Sequence, residues 1–241
     1  MKHTFIPLLL SVVTYTNAQK PLVPSKSSFE KKWIKNDSSL MNWYMIKDSS
    51  RIKIGQIVTR TKISNDRLLV ITEVNMNGSN SPWIDSTIAE SASGKPIYHS
   101  SYNAQRNMIL DFGNIVTGCY YDKKQNTKAT IADTVNSSYF DSNFYPQLIG
   151  WLPLEKGYLQ DILIYDFNKS GSGILKASVK EVVTGTISTE KNGNRQVWIV
   201  TVKDEINADA VTNYYFDKTD RKLWKQEIKG GGKDFCLLLQ E

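Results

Sequence analysis

Residues 210–228 read AVTNYYFDKTDRKLWKQEI. An aromatic and β-branched run over 211–216 leads into a charged turn over 217–222 and out along a second run over 223–228, which is the pattern of a β-hairpin. In the second strand Leu223, Lys225 and Glu227 fall on one side and Trp224, Gln226 and Ile228 on the other. Neither side is purely apolar, so the strand is expected in a curved sheet with each face partly covered. The turn, Asp217-Lys218-Thr219-Asp220, has acidic residues at a spacing that could hold calcium, but Arg221 and Lys222 would repel a cation. It is read instead as a turn closed by Asp-to-backbone bonds with an exposed Arg-Lys pair.

Outward from this hairpin the same rhythm recurs. Strand-like runs at 40–46, 51–60, 68–75, 96–102, 107–112, 115–122 and 127–132 are separated by turn residues such as Asp-Phe-Gly-Asn and Lys-Lys-Gln-Asn. Such spacing, with almost no amphipathic helix pattern, predicts an antiparallel meander. Gly55 in mid-strand marks a bulge or a place where another backbone comes close. The rhythm breaks at 140–154, FDSNFYPQLIGWLPL, which predicts one short helix. Asp141 or Ser142 would cap it, Leu148, Ile149, Trp151 and Leu152 would form its apolar face, Pro146 suits its first turn and Pro153 ends it. A second block of strands follows at 159–167, 174–188, 195–205, the hairpin and 234–241. The fold class is mainly β, an antiparallel sheet with one short covering helix, and residues 40–241 form a single domain.

The N-terminus, MKHTFIPLLLSVVTYTNAQK, pairs Lys2 with an apolar run over 5–13 and places Ala18 two residues after Thr16. That is the order of a secretory signal peptide over 1–18, and its apolar run is too short to span a bilayer permanently. No Cys follows it, so the expected location is periplasmic or secreted without a lipid anchor. Residues 19–39, with Pro21 and Pro24, are expected to be a flexible segment. No later run reaches the length of a transmembrane helix. The net charge of +6 comes from scattered Lys and Arg residues without a basic patch, which argues against nucleic acid as a partner. Cys119 and Cys236 each fall in a strand; in an oxidising compartment they could pair, or each could be a buried thiol.

Several chemistries are disfavoured. His99 is the one histidine left after signal removal; it sits in YHSSY, away from any G-x-S-x-G nucleophile motif, and reads as a partly exposed strand residue. Neither C-x-x-C nor H-E-x-x-H spacing is present for zinc, nor a glycine-rich phosphate loop, so no metal and no cofactor is expected. Asp111, Asp122, Asp141, Asp161 and Asp166 could meet across a concave sheet as a glycoside-hydrolysing pair. Turn and capping roles account for these carboxylates more simply, and the protein is expected not to be an enzyme.

The order of a DFGNIVTG strand pair, FDSN, an apolar stretch ending in LPL and Gly157-Tyr158, a V-x-x-V strand and YYFDKTDRKLWKQEI resembles the bacterial envelope proteins of domain-of-unknown-function family 3108. The resemblance covers roughly residues 43–241. It implies a strongly curved antiparallel sheet or open barrel similar to the periplasmic lipoprotein carriers, with a concave apolar face closed by a helix; it implies no activity for particular residues. With six Trp and twelve Tyr, the aromatics could fill the core or line that concave face. The resulting expectation is a non-enzymatic envelope module that binds a lipid-like or other apolar ligand, with Tyr145, Leu148, Trp151, Trp198 and Trp224 as candidate lining residues of a cavity of several hundred Å³. The alternatives are a scaffold domain that docks an envelope protein on a sheet edge or on the hairpin turn, and a carboxylate-based glycan hydrolase.

Overall fold

The computed structural model describes residues 20–169 and 171–241; the expected signal peptide, 1–18, lies outside the described residues. Eight strands come first: β1 (Asp37–Lys47), β2 (Ser50–Ser64), β3 (Arg67–Met76), β4 (Trp83–Glu90), β5 (Pro96–Tyr102), β6 (Arg106–Asp111), β7 (Ile115–Asp122) and β8 (Thr127–Thr134). The short β9 (Phe140–Asp141) and the helix α1 (Tyr145–Trp151) follow. Then come β10 (Gln160–Asp166), β11 (Gly173–Ser188), β12 (Asn194–Asp204), β13 (Ala210–Asp217), β14 (Leu223–Gly230) and β15 (Asp234–Leu239).

All fifteen strands form one sheet, in the order β8-β7-β6-β5-β4-β3-β2-β1-β15-β14-β13-β12-β11-β10-β9. The chain therefore starts in the middle, pairs outward to β8, crosses over residues 135–139 to the far edge at β9, passes through α1 and works back from β10 until β15 lies against β1. Local turn chemistry sets the registers. Lys47 faces Ser50 and Ser64 faces Arg67 across two-residue loops, whose first residues Asp48 and Asn65 take φ of 54° and 52°. Asp and Asn tolerate that left-handed region, and it gives the turn the twist a two-residue hairpin needs.

The sheet is mainly β, open and strongly curved, and it overlaps itself instead of closing through a ladder. Ile164 and Tyr165 are consecutive on β10, so they point to opposite faces, and both are fully buried. Ile164 packs into the cluster around α1, with Phe140, Phe144, Leu148, Ile149 and Val182. Tyr165 packs with Met108, Leu110, Val116 and Ile131 of β6–β8, and its hydroxyl donates to Asp133 on β8. β10 is thus held between the helix on one side and the first half of the sheet on the other.

Two expectations are corrected, and the alternative left open for the cysteines is decided. Residues 20–39 are packed, not flexible: Leu22 bridges to Ile162 alongside β10, Phe29 is 5% exposed against Trp151, and a 3-10 turn, Lys31–Trp33, leads into β1. Leu22 between the prolines, and Phe29, Trp33 and Ile34 beyond them, anchor this segment to the core. Neither Asp141 nor Ser142 caps α1, whose N-cap position is Phe144 and carries no side-chain cap. A seven-residue helix is too short to stand by itself, and burial of Leu148 and Ile149 holds it in place. Cys119 and Cys236 are both free thiols, because six strands separate β7 from β15 in the sheet.

Candidate functional site

Where α1 bridges the concave face, a cleft of about 280 Å³ remains open. Its floor is a row of cross-strand pairs on β1 and β2. Met41 faces Ile57, Ser39 faces Thr59 and Asp37 faces Thr61, all with the side chains lining the cleft. Successive pairs lie two residues apart, so the floor grades from apolar through hydroxyl to charged over roughly 13 Å. Trp151 and Gly150 of α1, Phe216 and Leu223 of the β13–β14 hairpin, and Leu237 of β15 complete the apolar part. Gly150 lets the helix sit close to the hairpin there, since a Cβ at this position would stand 2.8 Å from Cε1 of Phe216 and force the ring to shift.

The charged end is built by the turn over 217–222. Asp217, 1% exposed, accepts from Nε of Arg195 at 2.8 Å, from Nε1 of Trp224 at 2.9 Å and from the Thr219 backbone N–H at 2.8 Å. Burial alone would raise its carboxyl pKa, but these donors hold it down at about 2. The backbone N–H of Lys222 donates to Asp220, as the sequence leads one to expect of an Asp-closed turn. The expected exposed Arg-Lys pair is corrected, however. Arg221 takes φ of 63°, a left-handed conformation unusual for a long side chain, and that rotates its guanidinium inward until the side chain is only 6% exposed.

Arg221 lies over the Trp33 ring, 4.8 Å from its centroid. Its Nη2 is 3.9 Å from Oε2 of Glu30, whose carboxylate is already engaged by Nε1 of Trp33 at 2.6 Å and Nζ of Lys32 at 2.8 Å. Nε and Nη1 of Arg221 have no hydrogen-bond partner, and Oε1 of Gln147 on α1 has none either. Both residues line the cleft. Burial pushes the Arg221 pKa down, opposed by Glu30.

Of the five expected lining residues, the structure places only Trp151 in the cleft. Tyr145 donates its hydroxyl to Asp204 and Leu148 is fully buried in the core around α1. Trp224 turns into Asp217, because a register shift in the β13–β14 ladder leaves it without a cross-strand partner. Trp198 is partly buried with Nζ of Lys218 4.4 Å from its ring centroid. Arg221, Trp33 and Gln147 were missed. No sequence signal announces them, since a left-handed turn position is ordinarily flagged by Gly or Asn and here carries Arg.

The carboxylates do not converge. Asp122 pairs with Lys169, Asp161 with Ser178 and Lys176, and Asp166 with Ser142; none of the five lines the cleft. Asp141 instead belongs to a buried polar cluster in which Nδ1 of His99 lies 2.9 Å from its Oδ2 and Thr87 donates to the same oxygen. Nδ2 of Asn143 donates to Thr87 at 3.0 Å. His99, expected to be partly exposed, is 5% exposed because β9 folds over it. The Thr87 hydroxyl is spent on Asp141 and not on the imidazole, so this is not the nucleophile-base arrangement of a hydrolase. Among the described residues no three His, Cys, Asp or Glu side chains are grouped as a metal site, and no helix is long and apolar enough to cross a membrane.

No curated protein matches the chain. Among solved structures it is similar to the beta-barrel-like protein of domain of unknown function DUF1849 from Brucella abortus, with 12% identity, 92% of this chain and 97% of that one covered, and a TM-score of 0.49. The family model described as "Protein of unknown function (DUF3108)" matches residues 40–235, nearly the whole β sheet. The chain belongs to the DUF3108 family.

Proposed function

We propose that this protein is an exported, non-enzymatic binding module of the bacterial envelope that holds a lipid-like ligand in the cleft beneath α1. The observation that carries the reading is the cleft itself. Its floor runs from Met41 and Ile57 to Asp37 and Thr61, so an elongated amphipathic molecule would meet a matching gradient of polarity. A volume of about 280 Å³ is close to the lower end of small-molecule sites. Support for export comes from the charged, apolar and small-residue order of the N-terminus.

Native mass spectrometry of the protein purified from its own envelope, followed by denaturing extraction, tests the proposal. A co-purifying mass of lipid size, lost on denaturation and reduced in Trp151→Ala, is the expected result. A bare monomer mass from freshly isolated envelope, with no amphiphile taken up on addition, overturns it.

A further inference from the structure

We infer that Arg221 is an anion-recognition residue and that the ligand of the cleft is an amphiphile with an oxyanion head group, a carboxylate or a phosphate. This rests on the reading of the cleft as a ligand site and specifies its chemistry. A guanidinium cannot shed its proton, so once buried it needs acceptors. The Arg221 side chain is 6% exposed, yet Nε and both hydrogens of Nη1 have no acceptor, and its nearest carboxylate, Glu30, is 3.9 Å from Nη2 and is shared with Lys32 and Trp33. The structure also fixes this cation firmly. The Asp217 carboxylate ties down the turn, the Arg221 backbone N–H donates to the Asp217 carbonyl at 3.1 Å, and Trp33 supports the guanidinium plane.

A cation desolvated and immobilised in this way, with hydrogens unused and an apolar wall of Phe216, Leu223 and Trp151 in the same cleft, is complementary to a charged head joined to an acyl chain. Carboxylate and phosphate both offer the acceptors. A neutral alcohol of equal chain length offers one weak acceptor and no charge, so the head group should govern affinity.

The test is calorimetric titration of the full mature chain, stripped of lipid, with dodecanoate, dodecyl phosphate, dodecanol and inorganic phosphate. The two anionic amphiphiles are expected to bind at least about tenfold more tightly than dodecanol, since a charge-assisted bond is worth that much or more. Arg221→Gln should abolish the difference, while Lys229→Gln, which removes the same charge from an exposed site, should retain it. Dodecanol binding as tightly as dodecanoate overturns the inference and leaves the cleft reading intact. Binding of no amphiphile overturns both. Inorganic phosphate binding as tightly as dodecyl phosphate overturns the amphiphile. The comparison of ligands on the unmodified protein decides the matter even if Arg221→Gln fails to fold.

Discussion

His99 and Asp141 join the two halves of the chain: the imidazole on β5 and the carboxylate on β9 meet with Nδ1 2.9 Å from Oδ2, both side chains almost wholly buried. β9 pairs only with β10, through two residue pairs, so this contact and Thr87 fasten the far edge of the sheet to the strands of the first half.

The clamp should make stability depend on pH. Burial lowers the His99 pKa, but the charge and hydrogen bond of Asp141, helped by Asp85 and opposed by Arg106, outweigh it and raise the pKa above 6.5. A raised folded-state value means that the contribution is complete below about pH 6.5 and is lost as pH climbs through the folded value. His99→Gln should therefore cost about 1–3 kcal/mol at pH 6 and less at pH 9. Thermal unfolding of both proteins across that range checks this; a constant difference would refute it.

Asp217 should behave in the opposite sense. Its pKa is held at about 2 against an ordinary 3.8, so the stability it confers is present above 3.8 and is lost as pH falls toward 2. Asp217→Asn should destabilise by about 2–3 kcal/mol at pH 7, because Arg195 and Trp224 lose a charged acceptor. Urea unfolding at pH 7 and pH 3 should show the gap narrowing at the lower pH.

Gly55→Ala should destabilise by about 1–3 kcal/mol. A Cβ there would lie 2.4 Å from the backbone oxygen of Asn75, and Gly55 faces Trp43 at the register shift in the β1–β2 ladder. Denaturant titration gives the number, and amide exchange should be fastest in β2 and β3.

The two thiols should respond independently of redox state. Alkylation of the denatured, unreduced protein is expected to add two groups, at Cys119 and Cys236, and the melting temperature should not change with reductant. Failure to alkylate either cysteine would show a disulfide.

Much of the architecture was legible because β structure is written locally. Alternation, β-branched and aromatic residues, and the turn over the 217–222 segment follow from neighbours in sequence, and so did the close approach at Gly55. The one helix was also visible, though its cap was not: Asp141 found a better partner in His99, forty-two residues away.

By itself the sequence determined most of the strands, the antiparallel meander, the single helix and the family resemblance, since each depends on side-chain pattern over a few residues; β4 (Trp83–Glu90) and the short β9, which runs parallel to β10, were not read from it. Only the tertiary structure decided which aromatics are core, where β10 is trapped between two layers, and that Arg221 turns inward beside Trp33. Those outcomes depend on how far a long sheet curls before its ends overlap, and on a left-handed backbone angle at one residue. Neither is encoded by local periodicity, because both are settled by contacts between residues distant in sequence.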